Sequence, residues 1–195
     1  MFRQKHTDSI RRRLVMRLIL AGIVMSGATG CVQHVSPPIE APGPTRASSF
    51  FDSDEEALQA GVDGYQAYLA TSDLITADGG QDPQRIAPYV SDELLPSFIE
   101  GYQSLQAKGL RSQGSTAYDS PRFQSWTPGA NDDALVSFYI CVDVSQVRIV
   151  DGAGSDVTPP ERALRIPLLV TVRVVESASI SVLTENEPWS GESFC

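Results

Sequence analysis

One carboxylate and one phenol in the second half of the chain have a spacing that acid–base chemistry could use. Asp143 and Tyr139 lie four residues apart within residues 134–145, where apolar residues alternate with other residues. In a β-strand, residues at even spacing point to the same face. If that face lined a cavity, the two side chains would be candidate catalytic residues, acting as acid and base on a small ligand. The alternative is that Asp143 makes a structural hydrogen bond or lies at the solvent end of the strand.

The residues that support most other hydrolytic and metal chemistry are missing from the predicted folded domain. Its sequence contains no histidine, because His6 and His34 both precede it. Without histidine or a free thiol, Ser-His-Asp triads, Cys-His nucleophiles and typical zinc sites are excluded. The acidic turns at residues 78–82, 131–133 and 151–156 lack the spacing of a calcium-binding EF-hand loop. We therefore expect no metal and no cofactor.

The first thirty residues are typical of an export signal. Residues 1–13 are polar and basic, residues 14–28 are mostly apolar, and Ala28-Thr29-Gly30-Cys31 follows. The apolar stretch is shorter than the roughly 20 residues that span a bilayer. The tetrapeptide resembles the bacterial lipobox, although Ala28 stands where leucine is usual. This resemblance implies cleavage after Gly30 and lipidation of Cys31, and an ordinary secretory signal is the alternative.

The acidic balance of the chain argues against nucleic acid as a partner. The formal net charge is −9, and the predicted signal carries six basic residues and one acidic residue, so the mature chain would carry −14. An acidic surface repels polyanions. We expect contact with the lipid bilayer to run through acylated Cys31, since several acyl chains give stable anchoring.

Two cysteines remain once Cys31 is assigned to lipid. They are Cys141 and Cys195, and outside the cytoplasm two remaining thiols usually pair. We therefore predict a Cys141–Cys195 disulfide that ties a central strand to the chain terminus. A redox or metal-binding pair is the alternative, but such pairs more often lie close in sequence, as in a C-x-x-C motif.

The chain divides into a signal at residues 1–30, a Pro-rich tether at 31–50 and one domain at 51–195. Ser53 and Glu56 predict a capping box at the start of a helix. Apolar residues at positions i, i+4, i+7 and i+11 continue that helix until the glycines that follow Asp78. A short helix or turn is expected at residues 83–90 and a further helix at 91–108.

After residue 110 the hydrophobic period changes from helical to two. Residues 111–127 predict one or two strands, while residues 134–145, 162–176 and 179–184 predict clearer strands, the last two joined at Ser177-Ala178. Residues 146–150 continue the first of these clear strands or form a bent extension. Helices followed by successive strands predict an α+β fold, with N-terminal helices packed on one face of an antiparallel sheet.

This order of elements resembles the cystatin-like cone fold of nuclear transport factor 2-like proteins, over residues 51–195. Two segments are similar to paired features of small exported actinobacterial lipoproteins of that kind: Cys-Val-Asp-Val-Ser at 141–145, and Trp-Ser-Gly at 189–191 with the final Cys195. The resemblance implies a curved sheet, and a location on the outer face of the cytoplasmic membrane of a GC-rich Gram-positive bacterium. The fold hosts isomerases, dehydratases and binding modules, so it assigns no activity.

Two functions remain open. The first is a non-catalytic module that binds a protein or a small apolar ligand, which the long tether and the absent catalytic groups favour. The second is an isomerase or dehydratase that uses Asp143 and Tyr139 in a cavity of the cone. A sealed cavity with polar groups would support the second, and a filled apolar core would argue against it. The oligomeric state is open, and a dimer through the open sheet face is possible.

Overall fold

Helix α1 (Asp54–Ala77) begins at the predicted cap. The backbone N–H of Glu56 donates to Ser53 Oγ at 3.1 Å. The Glu56 carboxylate reaches back to the backbone N–H of Asp52 at 2.7 Å, one residue earlier than the usual capping-box partner. The capping prediction is therefore confirmed, with this shift in one of its two bonds.

The computed structural model describes residues 50–175 and 180–195, which belong to one compact unit. The predicted signal, Cys31 and nearly all of the tether lie outside the described residues, as does the predicted turn at Ser177-Ala178. Within the described part of the chain, no helix combines the length and the apolar character needed to cross a bilayer.

Two glycines end α1 and bring the next helix close. Gly79 and Gly80 both have positive φ, and the N–H of Gly80 donates to the carbonyl of Ile75 at 2.8 Å. A Cβ atom at Gly80 would lie 2.0 Å from the carbonyl oxygen of Tyr102, so only glycine fits there.

A 3₁₀ helix (Pro83–Tyr89) and helix α2 (Leu95–Ala107) follow α1. Helix α2 starts later than the predicted residue 91, because a hydrogen-bonded turn occupies residues 91–94 and Pro96 lies in the first turn of the helix. Gly109, at φ 65°, lies just beyond its end, where glycine commonly ends a helix.

The described residues that follow α2 form six strands. They are β1 (Arg111–Gln113), β2 (Ala117–Pro128), β3 (Asp133–Asp143), β4 (Arg148–Val150), β5 (Arg165–Val175) and β6 (Val182–Pro188). Four of them form an antiparallel sheet in the order β2-β3-β5-β6, while β1 and β4 pair separately. The predicted strands at 134–145 and 162–176 are confirmed as β3, which begins one residue earlier and ends two residues earlier, and β5, which begins three residues later. The last strand, β6, ends at Pro188, four residues beyond its predicted end. Residues 148–150 do not continue β3 but form β4, which pairs with β1.

One face of the sheet is covered by α1 and is filled with apolar side chains. Phe138 and Ile140 of β3 are fully buried on this face, and Tyr65 of α1 is 1% exposed. Gly61 and Gly64 let the helix approach closely, since a Cβ atom on either would lie within 3 Å of a side chain of the sheet. The coarse α+β prediction is therefore confirmed, and the helix that packs along one face of the antiparallel sheet is α1.

Candidate functional site

The predicted disulfide is present and holds the C-terminal tail against the sheet. Cys141 and Cys195 are 54 residues apart in sequence, and their Cα atoms lie 5.5 Å apart. Cys141 is fully buried. The backbone N–H of Trp189 also donates to the carbonyl of Pro167 on β5 at 2.8 Å. The tail, residues 189–195, is thus fixed at both of its ends.

The candidate pair Asp143 and Tyr139 lies on the outer face of the sheet, the face opposite α1. Both alternate along β3 with Phe138, Ile140 and Val142, which are buried toward the helix. The two side chains share a face as predicted, but that face does not line the helix-covered interior. Each of them is engaged in a different set of contacts.

Asp143 belongs to an ion-pair cluster at the end of β3. Its Oδ1 accepts the backbone N–H of Ser145 at 2.8 Å, and its Oδ2 accepts from Arg165 at 3.1 Å. Arg165 also donates to Asp119 of β2 at 2.7 Å. The hydrogen bond from Ser145, reinforced by Arg165, lowers the pKa of Asp143. The carboxylate is therefore ionised and held in a structural hydrogen bond at neutral pH.

Tyr139 is part of an aromatic group formed with the tail. Its ring meets the ring of Trp189 edge to face with centroids 5.0 Å apart, and the ring of Phe194 at 5.9 Å. Such edge-to-face pairs are favourable beyond the area that they bury. The tail is thus held on the sheet by rings as well as by the disulfide.

These groups form an open groove, which we call the outer groove. Its volume is about 430 Å³, and its lining residues come from the sheet and the tail: Arg122, Tyr139, Trp189, Glu192, Ser193 and Phe194. The guanidinium carbon of Arg122 lies 4.9 Å from the centre of the Phe194 ring, a cation–π contact. Four of the six residues belong to the tail, so the groove depends on the tail's position.

Gly191 explains how Trp189 is oriented. A Cβ atom at Gly191 would lie 2.6 Å from three atoms of the Trp189 indole, so the ring folds directly over the glycine. The indole Nε1–H donates to the carbonyl of Glu192 at 3.2 Å. The Trp-Ser-Gly sequence therefore fixes one wall of the outer groove.

A second recess of about 680 Å³ lies between α1 and the segment that leads into β2. The Asp73 carboxylate accepts both the backbone N–H and the hydroxyl of Thr116, each at 2.8 Å. The hydroxyl of Tyr118 donates to Gln66 at 3.0 Å. Leu74, which is 62% exposed, also lines this recess. The polar side chains of this recess are thus largely used in hydrogen bonds that hold the segment before β2 against α1.

Most of the remaining aromatic side chains pack in the hydrophobic core. Tyr65, Tyr68 and Tyr102 are at most 5% exposed, and burial raises the pKa of each of these phenols. Trp126 packs edge to face on Phe51 with centroids 5.4 Å apart. Within residues 50–175 and 180–195, no cluster of three or more His, Cys, Asp or Glu side chains could hold a metal ion.

Sequence reasoning missed Arg122 and Phe194. Phe194 precedes the disulfide cysteine, so the predicted Cys141–Cys195 bond already implied that it lies near Tyr139. Arg122 lies opposite Tyr139 only because the pairing of β2 with β3 shifts between Asp119 and Arg122. Pro121 lies within this shift, and proline inside a strand indicates an edge strand or a bulge, but it does not say which residue the shift sets opposite Tyr139.

No protein-family model matches the chain, and no curated protein matches it by sequence. Among solved structures, the chain is similar to the intermembrane space region of chloroplast protein ARC6, at 15% identity and a TM-score of 0.47, over 69% of this chain and 97% of that one. It is also similar to a de novo designed β-sheet protein, at 12% identity and a TM-score of 0.25, over 72% and 97% of the two chains. Both scores are low, and neither likeness indicates a function.

Proposed function

We propose that this protein is a lipid-anchored extracytoplasmic binding module with a cystatin-like cone fold, and that it binds through the outer groove. The observation that carries the proposal is the construction of that groove. A seven-residue tail, tied by the Cys141–Cys195 disulfide, forms most of an aromatic-walled recess on the exposed face of the sheet. A groove fixed in this way is preformed for binding, which lowers the entropy cost of association.

The filled interior favours binding over internal chemistry. The space between α1 and the sheet is occupied by large side chains, among them the fully buried Phe138 and Ile140. A general acid or base must reach a reacting group, and its pKa should lie near the working pH. Asp143 is instead held by Ser145 and Arg165 with a lowered pKa. These features argue against an isomerase or dehydratase that uses Asp143 and Tyr139.

Two further features support the proposed fold and the proposed cellular location. One long helix packed along a four-stranded antiparallel sheet is the arrangement expected of a cone-fold protein. A disulfide in a chain with a lipobox-like Cys31 agrees with an oxidising compartment outside the cytoplasm. We place the protein on the outer face of the cytoplasmic membrane as part of this proposal.

The anchor is tested by labelling the full chain with an alkyne fatty acid in an exporting actinobacterial host. Wild type and Cys195→Ser should both carry the label and fractionate with membranes, whereas Cys31→Ser should be unlabelled. Labelled Cys31→Ser, or unlabelled wild type, would contradict the anchor.

Binding at the outer groove is tested by native mass spectrometry of the full protein, extracted in mild detergent from that host. We expect wild type and Gly152→Ala to carry an added mass that Gly191→Ala lacks. Gly152 lies in open space, so it is the matched glycine control for Gly191. The same added mass on wild type and Gly191→Ala, or no added mass on either, would contradict binding at this groove.

A further inference from the structure

We propose that the outer groove binds a neutral saccharide ring. This inference rests on the proposed binding function, and it names the chemical class of the ligand. The groove is an open recess of about 430 Å³, within the range of roughly 300–1,000 Å³ that is common for small-molecule sites. Its walls carry both apolar rings and hydrogen-bonding groups.

The aromatic side of the groove fits the C–H faces of a sugar. Tyr139, Trp189 and Phe194 are all half-buried, so each ring keeps part of its surface open to the groove. A pyranose ring presents a flat patch of C–H bonds, and these bonds pack well against the electron-rich face of an aromatic ring. The indole of Trp189 is held in place by Gly191 and by its bond to Glu192.

The polar side of the groove fits the hydroxyl groups of the same ring. Arg122 supplies only donors, the Glu192 carboxylate only acceptors, and the Ser193 hydroxyl both. Within the described residues the Arg122 side chain makes no ion pair and no hydrogen bond, and its guanidinium lies over the Phe194 ring. A sugar hydroxyl both donates and accepts, so the hydroxyl groups of one ring can satisfy the guanidinium and the carboxylate of residues that line the same groove.

The charge of the groove favours a neutral ligand over an ionic one. It contains one guanidinium and one carboxylate, while the chain as a whole carries a formal net charge of −9. An anion would meet Glu192 and the acidic surface, and a cation would meet Arg122. A ligand with hydroxyl groups and no charge avoids both penalties.

The test uses Trp189 as its reporter. The chain has two tryptophans, so Trp126→Phe leaves Trp189 as the only one. Full-length protein with this substitution is titrated with chitotetraose, maltotetraose and the anionic tetragalacturonate, and indole emission is recorded. We expect a saturable change with at least one of the two neutral sugars and none with the anionic one. A response only to tetragalacturonate, or no response to any sugar up to about 10 mM, would overturn the inference.

Matched variants in the same background locate the binding. Arg122→Ala and Glu192→Ala should each weaken binding about tenfold, as expected when a central contact is removed. Arg148→Ala is the control, because Arg148 is an exposed arginine outside the groove. Equal affinities of the Arg122 and Arg148 variants would overturn the assignment to this groove.

Failure of this inference is distinguishable from failure of the proposed function. Fatty-acid labelling of Cys31 and the adduct that depends on Gly191 involve no added saccharide. If those results hold while all sugars fail, the module binds another class of ligand. If the adduct also fails, the outer groove is not the binding site.

Discussion

Removing the Cys141–Cys195 disulfide should destabilise the domain strongly. We consider the double variant Cys141→Ala/Cys195→Ala, which avoids leaving an unpaired thiol. The disulfide closes a loop with a sequence separation of 54 residues. The chain-entropy model then gives a loss of about 4 kcal/mol in the free energy of unfolding at 25 °C. For a domain of this size that corresponds to a fall in Tm of roughly 8–16 °C.

The assay is urea denaturation followed by far-ultraviolet circular dichroism, with wild type measured in oxidised and reduced form. Reduced wild type is the internal control, because it loses the bond and keeps both sulfur atoms. We expect reduced wild type and the double variant to unfold at similar urea concentrations, both far below oxidised wild type. A difference between oxidised and reduced wild type of less than about 1 kcal/mol would refute the reasoning. The tail would then contribute little to the stability of the sheet.

Three smaller predictions concern helix α1, helix α2 and the turn at Asp156. Gly64→Ala should lower the free energy of unfolding by about 1–3 kcal/mol, because its Cβ would lie 2.6 Å from Ser181. Gly101→Ala, in open space on α2, should raise the free energy of unfolding by about 0.5–1 kcal/mol. Equal effects of the two substitutions in thermal melts would contradict this. Ser53→Ala should cost about 1 kcal/mol through loss of the α1 cap, and an unchanged melt would show that the cap is dispensable. Hydrogen bonds from Thr158 lower the pKa of Asp156 to about 2, so its stabilising contribution is complete above about pH 4 and is lost as the pH falls toward 2. Asp156→Asn should flatten this part of the stability–pH curve, and an unchanged slope would contradict the assignment.

The local elements were predictable because each depends on neighbouring residues. The cap at Ser53, the helical spacing that follows it and the alternation along β3 all reflect periodicities of single elements. The disulfide was predictable by counting, since only two cysteines remained after Cys31. Alternation also showed correctly that Asp143 and Tyr139 share a face.

The outer groove was not predictable, because its geometry depends on irregular pairing and on the path of the tail. The pairing of β2 with β3 shifts at two places, and Ser120 adopts a left-handed conformation at φ 55° within the first of them. This irregularity sets Arg122 opposite Tyr139. The packing of the Trp189 indole over Gly191 is likewise a contact within an irregular segment. Hydrophobic periodicity does not predict such a contact. Prediction of the groove would have required the register of the sheet.

The central claim, that the outer groove is the binding surface, is tested most directly by photo-crosslinking in intact cells. A photoreactive amino acid is placed at Ser193 in the groove or at the exposed Ser155, which is distant in sequence and does not line it. We predict a crosslinked product or a ligand adduct from position 193 that is missing at position 155 and is lost in the Gly191→Ala background. Equal products from both positions, or a product from position 193 that Gly191→Ala leaves unchanged, would contradict the claim.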